Sequence, residues 1–130
     1  MRRVAFSAAL APACVTSGKV TMGFLIHGGV EVEFDDRLLA HMQVIIVTHF
    51  RRGESLVVSW LNALSAGDGR SSMWMTPEQP VFFRFNGSRS VEIDRSWLRA
   101  LDQSVASPTG LVLTDAEGQM IRAGAIRRHA

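Results

Sequence analysis

Cysteine is almost absent from this chain. Cys14 is the only one in 130 residues. A single thiol closes no internal disulfide and builds no multi-cysteine zinc site, and its scarcity favours a reducing compartment. Lysine is as rare, with Lys19 standing alone. Prolines number four, long charge runs are missing, and there is no internal repeat and no low-complexity segment. No apolar stretch is long enough to cross a bilayer as a helix. These absences exclude a disulfide scaffold, a helical membrane span and an extended disordered chain.

What is present is an apolar fraction of 47%, enough for one domain folded around a core. The formal net charge of +2 is a poor guide to partners. Its positive excess lies at the ends: Arg2, Arg3 and Lys19 in front, Arg122, Arg127 and Arg128 behind. Between Met22 and Thr114 stand eight arginines, no lysine and ten acids, a net of about −2 by charge counting. A basic groove built into the fold is therefore not implied.

The first 21 residues are read apart. Arg2-Arg3 precede an apolar run from Val4 to Ala13, and Cys14 follows Leu10-Ala11-Pro12-Ala13. The pattern is similar to an export signal, yet the run is at the lower length limit and Pro12 would sit inside the cleavage motif. Residues 1–21 are expected to be a leader, or residues ahead of a true start at Met22, with a cytoplasmic protein as the result. Export is the alternative.

Phe24-Leu25-Ile26-His27 and Val30 to Phe34 flank Gly28-Gly29, which predicts a hairpin with a tight turn. Val30, Val32 and Phe34 fall on one face and Glu31 and Glu33 on the other. Asp35 or Asp36 caps a helix that runs to about Arg52 and stops at Gly53. Leu38, Met42, Ile45, Ile46 and His49 form one stripe of it, and Val44, Val47 and Phe50 a second patch opposite. A helix apolar on two sides is either sandwiched or part of an interface. Leu56 to Trp60, Ser71 to Thr76 and Val81 to Phe85 predict strands. Asp94 caps a second helix, with Ile93 stapled to Leu98 and Trp97, Leu98, Leu101 and Val105 buried. Leu111 to Leu113 predicts a last strand. Residues 115–130 are expected to be a flexible basic tail, with a short helix near Met120 to Ile126. The order β-β-α-β-β-β-α-β predicts an α+β domain over residues 22–114, a mainly antiparallel sheet with two helices packed on it.

Several segments carry a resemblance. They are Asp36-Arg37-Leu38-Leu39-Ala40-His41, Arg51-Arg52-Gly53-Glu54-Ser55, Trp60, Gly69-Arg70, Trp74, Pro80 to Phe85, Gly87-Ser88-Arg89, Trp97, Ala100-Leu101 and Thr109-Gly110-Leu111. In this order they resemble a bacterial family of small proteins of unknown function, about a hundred residues long, whose members often carry the label "ATP-dependent DNA ligase". The resemblance spans roughly Met22 to Leu113; the N-terminal leader and the basic tail depart from it. Nucleotidyl-transferring ligases use the lysine of a Lys-x-Asp-Gly motif as nucleophile. Lys19 is followed by Val20-Thr21-Met22 and lies outside the domain. Ligase catalysis is therefore not expected.

Other chemistries are weighed in the same way. His27-Gly28-Gly29 is similar to an esterase oxyanion segment, but no Gly-x-Ser-x-Gly elbow accompanies it. His41 and His49 lie two turns apart, about 12 Å along a helix, too far to share one ion. His49 reads as a hydrogen-bonded histidine at the core edge. Asp35-Asp36 precede a helix and read as caps. Gly67-Asp68-Gly69-Arg70 reads as a loop, with phosphate cradling the sharper alternative. No catalytic residue, metal ligand or cofactor is assigned. His41, Thr48 and Arg52 share a polar edge within reach of a ligand. Strand alternation places Trp74, Phe82 and Arg84 opposite Met73, Met75, Val81, Phe83 and Phe85. With Arg70 they form the candidate binding surface, unless a helix buries them. Such a face anchors a protein partner or stacks single-stranded bases. The favoured function is a non-catalytic binding module for a protein partner or a second copy. The alternative is a nucleic-acid accessory protein. A third, an enzyme assembled from His41, Arg52 and Arg70, has no motif behind it.

Overall fold

The computed structural model describes residues 21–67 and 69–128. Cys14 and Lys19, in the segment expected to be a leader, and Asp68 of the glycine-flanked loop lie outside them. The strands are β1 (Met22–His27), β2 (Val30–Asp35), β3 (Leu56–Leu61), β4 (Arg70–Met75), β5 (Val81–Arg84), β6 (Leu111–Val112) and β7 (Ile126–Arg128). The helices are α1 (Asp36–Arg51) and α2 (Arg95–Ser104). The expected α+β order is present, with β7 added at its end.

The strands form two sheets, ordered β5-β1-β2-β7 and β4-β3-β6. Among the described strands only the β3–β6 pair is parallel, and a single parallel bridge joins Leu61 to Arg122. Gly28 and Gly29, at φ 59° and 78°, make the two-residue turn that sets His27 opposite Val30. A left-handed pair of this kind matches strand twist, and glycine enters it without a Cβ penalty. Asp35 is the cap of α1: its side chain accepts the Arg37 N–H at 2.7 Å. Asp94 caps α2 by accepting the Trp97 N–H at 3.2 Å.

The inner faces of both sheets and the main stripe of α1 enclose one core. Leu25, Val32, Phe34, Leu38, Met42, Ile46, Val58, Met75 and Leu111 are fully buried in it. The rings of Phe34 and Trp60 meet edge to face at 5.6 Å across the sheets, a geometry that adds about 0.5–1.5 kcal/mol beyond area burial. α2 closes one end through Trp97 and Leu101. The Trp97 indole N–H donates to the Thr114 carbonyl at 2.7 Å.

Two expectations change. β4 and β5 follow one another across Pro77 to Pro80 but do not pair. β4 pairs with β3 and β5 with β1, so they belong to different sheets. The segment read as a loose tail is instead laid against the domain, and the helix expected near Met120 to Ile126 is absent. After a turn in which Asp115 Oδ1 accepts the N–H groups of Glu117 and Gln119, Ile121 and Ala123 bond the Leu61 backbone. Gly124 and Ala125 then bond that of Glu33, and β7 pairs with β2. This segment stitches one sheet to the other. Its pairing is carried by backbone groups with distant partners, so its side chains show no period. No helix among the described residues is long and apolar enough to cross a membrane.

Candidate functional site

Three histidines are spent as cross-links. His41 is fully buried on α1. Its Nε2 accepts the Asp94 N–H at 3.0 Å and its Nδ1 lies 2.6 Å from the Arg37 carbonyl. A backbone N–H can only donate, so Nε2 is bare and the proton sits on Nδ1. The ring lies 4.3 Å from that of Trp97. Burial lowers the His41 pKa, and the Arg37 guanidinium lowers it further, against the opposing pull of the Arg37 carbonyl and of Asp94. His27 repeats the pattern. Its Nδ1–H donates to the Pro80 carbonyl and its Nε2 accepts the Thr76 N–H, both at 3.2 Å. Burial lowers its pKa, against the raising effect of the Pro80 carbonyl. It thereby ties β1 to the turn between β4 and β5. His49 bridges Glu54 at 2.7 Å and Asp102 at 3.3 Å, joining the end of α1 to α2.

The polar edge expected at His41, Thr48 and Arg52 does not assemble. His41 faces α2 and is closed to solvent, because position 41 falls on the helix side that meets Asp94 and Trp97. Thr48 is exposed and turns its hydroxyl to the Val44 carbonyl. Arg52 lies 3.7 Å from Glu54, beyond the end of the helix. Among the described residues no group of three or more His, Cys, Asp or Glu is arranged to hold a metal ion.

Asp36 is a tether rather than a cap. It is buried, and its Oδ2 accepts the Thr21 hydroxyl at 2.7 Å and the Gly87 N–H at 2.8 Å. Gly23 makes the room: a Cβ there would stand 2.5 Å from Asp36 Oδ1. The contact brings the 87–94 loop over the starts of both helices and leaves a cleft of about 800 Å³. Arg37, whose guanidinium carbon stands 5.6 Å from the centre of the Trp97 ring, and Arg89 line it with Asp36, Glu92 and Asp94. Charges of both signs face one another there, and no single ligand chemistry is selected.

Strand alternation does place the predicted aromatic residues outward. Trp74 is 64% exposed and Phe82 58%. Because their strands lie in different sheets, they do not make one platform. On the four-stranded sheet, Phe82 stands opposite Ile26, which stands opposite Glu31, and Glu31 opposite Arg127. The neighbouring row runs Arg84, Phe24, Glu33. This outer face therefore has an apolar centre, Arg84 on one side, and Glu31 and Glu33 on the other with Arg127 beyond Glu31 on the edge strand. Phe24 and Ile26 are legible as its members from the alternation of β1. On the three-stranded sheet, Arg70, Ser72 and Trp74 project from one side of β4. Arg70 and Ser72 line a depression of about 340 Å³ with Ser59 and Thr109. The Ser59 hydroxyl is occupied there, 2.9 Å from Ser72 and 2.8 Å from the Thr109 carbonyl.

Comparison with curated proteins and with solved structures returned no match. A family model described as a domain of unknown function, DUF7882, matches residues 22–116. The match takes in both helices, β1 to β6 and every cross-linking histidine described above, and the chain belongs to this family.

Proposed function

We propose that the domain is a non-catalytic interaction module that pairs with a second copy of itself through the outer face of the β5-β1-β2 strands. The observation that carries this reading is Phe82, a large aromatic left mostly exposed beside Ile26 and Phe24. An exposed apolar centre with a charged margin is typical of an interface. Its charge pattern supports a second copy as the occupant. A two-fold axis along the strands would set Arg84 of each copy against Glu33 of the other. The association is weak and concentration-dependent. Sedimentation of the full chain across a concentration series tests it. A mass that rises toward a dimer at high concentration supports the reading, and a strict monomer throughout refutes it.

A nucleic-acid role is the second reading. Arg70 and Trp74 share the outer side of β4, a cation and a stacking surface. Glu31 and Glu33 of the other sheet and the separation of Trp74 from Phe82 weigh against a continuous track. A single-stranded DNA titration at two salt concentrations separates the readings. Binding that is lost with salt and with Trp74→Ala would favour nucleic acid.

A further inference from the structure

The second apolar patch of α1 is not fully covered. Val44 is 39% exposed, and a groove runs along this flank. One stretch of about 430 Å³ lies between Ala40, Val44, Phe85 and Ile93. A second, of about 570 Å³, lies between Val44, Ile45, Ile93 and Leu98. Val44 and Ile93 line both, so the two are continuous, and the floor is mainly apolar, with Gln43, Ser88 and Ser90 beside the first stretch and Thr48 beside the second. The α1 residues from Ala40 to Thr48 span about 12 Å of it at the helical rise.

The rim is basic. Arg89 borders the first stretch, and Arg95 and Arg99 border the second. All three are exposed, and among the described residues none makes an ion pair or a side-chain hydrogen bond. Asp102 is the one acid in the lining, and it is turned to His49. Arg95 and Arg99 are one turn apart on α2, a spacing at which like charges destabilise a helix. Three arginines thus gather beside one apolar trough, in a domain where acids outnumber arginines between Met22 and Thr114.

We propose that this groove docks an acidic amphipathic segment of another protein. Its apolar side chains, at helical spacing, fill the floor, and its carboxylates meet Arg89, Arg95 and Arg99. The apolar floor favours a peptide over a nucleic-acid strand, whose phosphates would leave it unfilled. A second copy is a poorer occupant, because Glu31 and Glu33 lie on a flat sheet face. The surface is separate from the Phe82 face and does not depend on it.

Selection of a displayed random library of peptides, about sixteen residues long, against the full chain tests the proposal. Enriched peptides should be net acidic, with apolar residues three and four apart. A synthetic copy of one should lose at least about tenfold in affinity to a double variant, Arg95→Glu with Arg99→Glu. Val44→Lys should weaken it too, and Phe82→Ala should leave it unchanged. Both arginines are exposed, so circular dichroism should show the double variant folded; if it does not, Val44→Lys and singly substituted Arg99→Glu decide. The proposal is overturned if no peptide is enriched, if enriched peptides are not acidic, if the groove variants bind as tightly as the parent, or if single-stranded DNA displaces the peptide.

Discussion

The Nε2 atom of His41 accepts the backbone N–H of Asp94 at 3.0 Å, so one imidazole fastens the middle of α1 to the residue that caps α2. The two residues are 53 positions apart in sequence. The contact works only while that nitrogen is bare, which makes the docking of α2 a matter of proton binding.

Stability should therefore fall in mild acid. His27 and His41 both have lowered pKa values in the folded state, burial being the main cause. An unfolded histidine takes up its proton near about 6.5. Just below that pH the unfolded chain holds more protons than the folded one, and stability decreases as pH falls. The stabilisation is complete above the unfolded pKa and is lost progressively toward the folded values. Each histidine contributes at most about 1.4 kcal/mol per pH unit within the window. Thermal midpoints from pH 8 to pH 5 should be level at first and then drop. A midpoint that rises on acidification in that range would contradict the assignment.

His41→Ala should cost about 2–4 kcal/mol. It leaves the Asp94 N–H without its acceptor and opens a void beside Trp97. His49→Ala, whose carboxylate partners are largely exposed, should cost about 1 kcal/mol or less. Denaturant unfolding of the two variants measures the difference, and equal losses would mean that the α1–α2 latch has been misplaced.

Removing the C-terminal stitch should weaken the domain. A chain ending at Thr114 loses the backbone bonds to Leu61 and Glu33, uncovers the edge of β2 and removes buried Ala123. A loss of about 2–4 kcal/mol is expected. Gly124→Ala should act in the same direction within the full chain, since its Cβ would crowd the Glu33 side chain, whose Oε1 accepts the Ala125 N–H. Unchanged unfolding midpoints in both would show that residues 115–128 do not belong to the folded unit.

The elements of this fold were legible because their signals are local. Gly28-Gly29 between β-prone runs, Asp35 and Asp94 before apolar helices, and the alternation around Trp74 and Phe82 all act within a few residues. The division into two sheets was not legible, because β5 pairs with a strand more than fifty residues away and skips its neighbour β4. The same distance hid the role of His41, whose partner is the cap of another helix. The arginine rim escaped for a different reason: a charge sum over the domain cancels Arg89, Arg95 and Arg99 against acids that lie elsewhere.

The measurement that bears most directly on the interaction-module reading is sedimentation of the full chain beside its Phe82→Ala and Trp74→Ala variants, at low and high salt. The parent should show a concentration-dependent dimer that Phe82→Ala abolishes and Trp74→Ala preserves. Salt should weaken it by screening Arg84 from Glu33 of the other copy. A parent chain that stays monomeric, or a dimer indifferent to Phe82, would contradict the account.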